Sequence, residues 1–301
     1  MSYYSEFFRN LLRKGNTGVL AFILLNALIL ISMFQSIQPG VGGVLIGICA
    51  YMLSLALGLS FIGEGILRYL TGCTKITDDA DIRKLDSIVT DVYNKVKRIA
   101  PFVPEDVQFY IQETPEVNAF ATGRKTICIT RGMLEAPDEY IKAVLGHEFG
   151  HLVHHDTVIT LIVTVGNLFM NLIFLFARTV TLLITALCVG VASDGRPGLK
   201  EVLIVKFMDW IMSLGIAMWT YFGLFLVNVS TRKNEFRADE FSWQCGYGDN
   251  LLLFLRELNR MEKAAGRKKK RGFENPLATA LMSTHPPTEK RIQHLKELMK
   301  D

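Results

Sequence analysis

The chain is expected to be mainly α-helical with a small β-sheet, four of its helices crossing a membrane. Three observations predict this. No Asp, Glu, Lys or Arg occurs from Gly15 to Gly63, enough apolar chain for two bilayer crossings at about 20 residues each. Two further apolar stretches follow Thr157 and Trp210. The polar segments beside them carry either helical spacing or strand-like alternation of apolar residues.

The first apolar block breaks at Gln35 to Gly43, where Pro39 and the glycines supply a turn. It therefore reads as a helical hairpin, roughly Val19 to Ile37 and Val44 to Ile62. Arg9, Arg13 and Lys14 ahead of it resemble the start of a signal peptide, but the apolar run is too long and lacks a small-residue cleavage site. It is an expected uncleaved span. Glu64 and Arg68 follow four residues apart on the second helix and read as a structural ion pair near the headgroups.

From Thr71 to Asp156 the chain is more polar. Leu85, Ile88, Val92, Val96 and Ile99 share one face of an amphipathic helix, with Thr77 or Asp78 as cap. Val107 to Ile111 and Thr126 to Thr130 read as strands around a turn at Thr122 to Arg124. Helical spacing returns from Pro137 to Asp156 and runs into a third span, Thr157 onward, interrupted by Arg178. Asp194 to Lys200 separate it from a fourth span, Trp210 to Ser230. A helical tail follows with Leu251, Leu255, Leu258 and Met261 in step. The basic run from Gly266 to Gly272 reads as a solvated linker rather than a lipid-headgroup site.

Composition excludes some functions. The 301 residues, half of them apolar, carry a formal charge of only +4, and Lys and Arg flank the spans instead of gathering on one face, so nucleic acid is not an expected partner. Five cysteines without a CxxC pair fit a reduced compartment. Positive residues precede the first span and follow the second and fourth, while none lies in the first hairpin turn. Both termini and both polar segments should face the cytoplasm. The expected division is 1–70 and 157–230 as membrane hairpins, and 71–156 with 231–301 as two parts of one catalytic region.

The chemistry centres on His147-Glu-Phe-Gly-His151. Helical positions four apart lie on one face, so both imidazoles can reach one tetrahedral zinc ion while Glu148 stands beside the place of an activated water. A catalytic zinc needs a third protein ligand. Position 157 is Thr, which excludes the pattern with a third histidine on an extended motif. A carboxylate from a later helix remains, and Glu235 is the expected ligand, with Asp239 one turn on to support it. Two spans separate His151 from Glu235 and return both to one membrane surface. His154 and His155 read as helix-extension or interface residues, since three ligands from one straight helix would not close a tetrahedron.

With these residues in hand, the chain resembles the HtpX family of membrane-bound heat-shock proteases, relatives of the CAAX prenyl proteases. The matching elements are His147 to His151, Glu235 to Asp239, Val117 to Gly123 and Ser283 to Arg291, in family order. The resemblance implies four transmembrane helices plus a cytoplasmic zincin-like metalloprotease domain in the bacterial inner membrane. It also implies one zinc ion per chain held by His147, His151 and Glu235, and Glu148 as the catalytic base. Asn118, Ala119, Phe120 and Ala121 would lie on an edge strand beside the substrate cleft. His285 and Arg291 would sit near the active site, stabilising the reacting carbonyl or holding the metal-binding helices. Expected partners are the bilayer and peptide or membrane-protein substrates, misfolded or damaged ones above all; the oligomeric state is unknown. Two other readings stay open. A prenyl-peptide protease would need a larger intramembrane chamber than four spans enclose. A non-enzymatic scaffold or metal-binding membrane protein such as a transporter would place ionisable residues inside the spans, where only Asn26, Asn167, Asn171 and Arg178 stand out and neither His nor Asp is expected.

Overall fold

The computed structural model describes residues 9, 11–13, 16–192, 198–265 and 287–300. Helices α1 (Thr17–Ile37) and α2 (Val41–Gly58) form the first hairpin. At 21 and 18 residues they are about 31 and 27 Å long, close to the apolar thickness of a bilayer. Gly40, in the left-handed region at φ 99°, turns the chain between them.

The second helix stops earlier than the expected Ile62. Ser60 caps a new helix, α3 (Phe61–Leu70), by accepting from the Ile62 amide, and this separate helix carries Glu64 and Arg68. Then come β1 (Thr74–Lys75), α4 (Asp79–Ile99), β2 (Gln108–Gln112), β3 (Ala119–Thr122), β4 (Thr126–Thr130), the single turn α5 (Arg131–Leu134) and α6 (Asp138–Val153). The Asp78 side chain caps α4, accepting from the amides of Ala80 and Asp81.

The sheet order is β1-β2-β4-β3, with β2 and β4 parallel and the outer pairs antiparallel. The turn at Thr122 to Arg124 thus joins β3 to β4, not β2 to β4 as the strand pattern suggested. The intervening edge strand is too short and too small in side-chain volume to announce itself. Leu85, Ile88 and Val92 of α4, Ile127 and Ile129 of β4, and Leu145 and Phe149 of α6 meet in one buried cluster. That core fixes α6 against the sheet.

Helix α7 (Asp156–Ala192) has 37 residues and α8 (Leu199–Ser242) has 44, about 55 and 66 Å. Both exceed a bilayer, and within them the membrane-length apolar windows are Met170–Val191 and Leu199–Gly223. Their remaining turns run unbroken beyond those windows, and Asp156 and Glu235 lie there. The fourth window starts earlier than the expected Trp210 and takes in Asp209, correcting the expectation that no Asp lies inside the spans. Asp209 accepts from Arg178 Nε at 2.7 Å, and Asn171 Nδ2 donates to Thr220 Oγ1 at 2.8 Å. The charges are tolerated there because each helix supplies the other's partner. A π-helical turn at Trp243–Tyr247 leads to α9 (Gly248–Ala265), and α10 (Thr288–Leu298) packs against α9 and α8.

Candidate active site

Helix α6 is buried over its last two turns because it runs between the sheet and α8. A β-carbon on Gly150 would stand 3.0 Å from Ala238 Cα and 3.2 Å from Phe241 Cβ. Glycine there lets the α8 backbone come close enough for its side chains to reach the histidines. Ser242 Oγ closes the same seam, donating to the Ala143 carbonyl at 2.8 Å.

Across this seam the structure brings His147, His151 and Glu235 together, all three buried, their donor atoms lying within 4.8 Å of one another. The two Nε2 atoms are 3.2 Å apart; Glu235 Oε1 is 3.3 Å from His151 Nε2, and Oε2 is 3.5 Å from His147 Nε2. A tetrahedral ion with ligand bonds of about 2.0–2.1 Å has edges of about 3.3–3.4 Å. The donor set therefore has the spacing and the chemistry for one divalent cation.

Each ring is turned inward by a carboxylate on its other nitrogen, as oriented metal ligands require. Asp239 Oδ1 lies 2.8 Å from His147 Nδ1, and Asp156 Oδ2 lies 3.2 Å from His151 Nδ1. The role of Asp156 was missed in the sequence. Its signal is weak: the first acid after the histidine run, reached through a sharp break at His155, whose φ is 57°.

Arg291, on α10, forks onto Asp239, Nε to Oδ2 at 2.8 Å and the second nitrogen to Oδ1 at 2.6 Å. It also approaches Glu235 Oε2 at 3.4 Å and His147 Nδ1 at 3.3 Å. It ties α10 to the carboxylates of α8. Burial alone would raise the Asp239 pKa, but Arg291 and His147 outweigh it and hold the group at about 2. On His147 burial and Arg291 oppose charging, yet Asp239 and Glu235 prevail and raise its pKa above the ordinary imidazole value. The carboxylates thus dominate the field at the two rings, which favours a cation there. His285 lies outside the described residues.

Glu148 is buried, and its Oε2 accepts from the Ala121 amide at 2.6 Å. This contact places β3 directly beside the carboxylate. The Asn118 carbonyl accepts from the Thr130 amide on β4 at 3.0 Å. By alternation, the main chains of Ala119 and Ala121 face away from β4, on the side where Glu148 takes the Ala121 amide. Asn118 immediately precedes the strand, and Phe120 is partly buried opposite Cys128.

His154 caps the C-terminus of α6 and lies against Phe241, ring centres 5.9 Å apart. Burial, aided by nearby Arg237, pushes its pKa down to about 3. The unfolded chain takes up this proton near pH 6.5, as an ordinary histidine does at about that value, whereas the folded chain refuses it until about 3. The stability that His154 contributes is therefore whole above pH 6.5 and is lost progressively as the pH falls toward 3. Thermal midpoints measured between about pH 7 and 5 should fall more steeply for the parent than for His154→Phe; equal slopes would contradict this.

Comparison with known proteins bears on what this arrangement is. A model described as peptidase family M48 matches residues 80–299. Among curated proteins, Protease HtpX of Idiomarina loihiensis is 25% identical over 299 residues, covering 93% of this chain and 98% of that one. Protease HtpX of Shewanella frigidimarina is 28% identical over 290 residues, 91% of this chain and 95% of that one. Among solved structures, Ste24p of S. mikatae aligns with a TM-score of 0.46 at 18% identity, covering 91% of this chain, which spans 62% of that protein's length. With the family match extending over most of the chain, the protein belongs to peptidase family M48 and is a membrane metalloprotease.

Proposed function

We propose that the chain is a zinc endopeptidase that hydrolyses peptide bonds of misfolded or damaged membrane proteins at the cytoplasmic face of the bacterial inner membrane. The supporting observation is the convergence of two Nε2 atoms and a carboxylate within 4.8 Å, with Glu148 on the same helix held against an edge strand. In this reading His147, His151 and Glu235 hold zinc, oriented by Asp239 and Asp156. When bound, the ion supplies Lewis acidity toward a water and a peptide carbonyl.

The protein's own residues do the rest. An extended substrate pairs main chain to main chain with the outer edge of β3 at Ala119 and at the Ala121 carbonyl, the Ala121 amide being held by Glu148, which gives affinity without demanding a sequence. Glu148, its rotamer fixed by the Ala121 amide, takes a proton from water as the oxygen bonds to the carbonyl carbon. It then gives that proton to the departing nitrogen as the C–N bond breaks. Arg291 holds the metal-binding helices through Asp239. The region formed by 71–156 and 231–301 faces the cytoplasm because the positive charges flank its ends of the spans.

The test uses the full chain in proteoliposomes, with a destabilised membrane protein as substrate and its stable parent as comparison. About one zinc per chain, loss of cleavage on chelation and recovery with zinc are expected. Cleavage that survives metal removal would refute the mechanism. Equal cleavage of the stable and destabilised proteins would refute the quality-control role.

A further inference from the structure

We propose that Glu64 is a positioning residue for peptide-bond hydrolysis: from helix α3, which follows the first membrane hairpin, it holds the turn of edge strand β3, and so keeps that strand beside Glu148 at the lipid boundary. The inference rests on the proposed use of β3 as the substrate strand.

Glu64 is the first charged residue after the long apolar block, yet it is buried. A carboxylate out of water requires partners, and those of Glu64 lie at the β3–β4 turn. Its Oε1 accepts from the Arg124 backbone amide at 2.9 Å and from Arg124 Nε at 3.2 Å. The turn is shaped to this contact. Gly123 is left-handed at φ 64°, and a β-carbon there would stand 2.9 Å from Glu64 Cγ. One turn further along α3, Arg68 reaches Thr126 Oγ1 at 3.4 Å, Glu64 Oε2 at 3.7 Å and the Tyr110 ring at 5.0 Å. Helix α3 therefore grips the turn and the start of β4.

From the turn the effect passes along only three residues. Ala121 precedes Thr122 and Gly123, and its amide donates to Glu148 at 2.6 Å. Among the described residues β3 pairs within the sheet with β4 alone, and α6 and α7 pack against it. The opposite face of α3 exposes Phe61, Ile62 and Tyr69, the composition of a helix lying in a membrane interface. One helix diameter, about 10–12 Å, then separates the substrate strand from the lipid, where a segment pulled from the bilayer would first become available.

Glu64→Ala and Glu64→Gln, in the full chain reconstituted in lipid, test this by separate measurement of kcat and KM on an extended peptide, metal content, and backbone amide exchange. Glu64→Ala should raise KM about tenfold, the usual scale for a lost charge-assisted hydrogen bond. It should also speed exchange in residues 119–126 while metal content and exchange in α6 and α8 stay at parental values. Glu64→Gln, whose amide oxygen can still accept from Arg124, should fall between. Unchanged KM and exchange, or metal loss with exchange rising through α6 and α8 alike, would overturn the proposal. If Glu64→Ala does not fold, Glu64→Gln and Arg124→Ala decide the matter: each weakens part of the contact and should raise KM and speed exchange in residues 119–126, and parental values in both would refute the clasp. Should the parent itself hydrolyse nothing, the proposed function fails, while the exchange measurements still test the clasp.

Discussion

Glu148→Gln is expected to keep its metal and to lose hydrolysis by about three orders of magnitude, within the range that a positioned general base contributes. The change is nearly isosteric, and the amide oxygen can still accept from Ala121, so the strand that meets Oε2 at 2.6 Å stays in place. What disappears is the ability to take a proton from water and return it to the leaving amine. Metal content, measured on the same sample, separates this loss from a damaged site. Parental rates with the Gln variant would rule Glu148 out as the base.

Glu235→Ala should have the second large effect, this time on the metal itself. Glu235 lies on α8 and supplies the one carboxylate of the three-donor cluster, its oxygens 3.3 and 3.5 Å from the two histidine nitrogens. Two imidazoles alone make an incomplete tetrahedron, so retention through dialysis should fall by more than about a hundredfold, with hydrolysis following it. Asp156→Asn is a milder comparison. It leaves all three donors and weakens only the orientation of His151, for which about ten- to a hundredfold is expected. A Glu235→Ala chain that still binds one zinc with parental affinity would remove this residue from the site.

The partners of Asp156 and Glu64 show where sequence reading stopped. A helix places residues four apart on one face, so His147 and His151 declare a shared ligand from spacing alone. Asp156 follows a break in that helix at His155, and beyond a break periodicity no longer relates one side chain to another. Glu64 and Arg68 do form the ion pair their spacing suggests, at 3.7 Å, but Arg124, 60 residues on, is the closer partner. Nothing local marks such a contact. The short edge strand at Ala119 escaped the alternation rule for the same reason: its identity as a strand is conferred by β4.

Local chain physics determined the apolar spans, the amphipathic helices and the HExxH face, because hydrophobic periodicity and charge exclusion are properties of a few consecutive turns. Tertiary structure decided the rest. The glycine seam between α6 and α8 sets the donor spacing; the continuation of α8 past the bilayer brings Glu235 to the histidines; and the grip of α3 on the strand turn joins membrane to cleft. Each depends on the packing of distant segments, where the free energy lies in contacts that no stretch of sequence contains by itself.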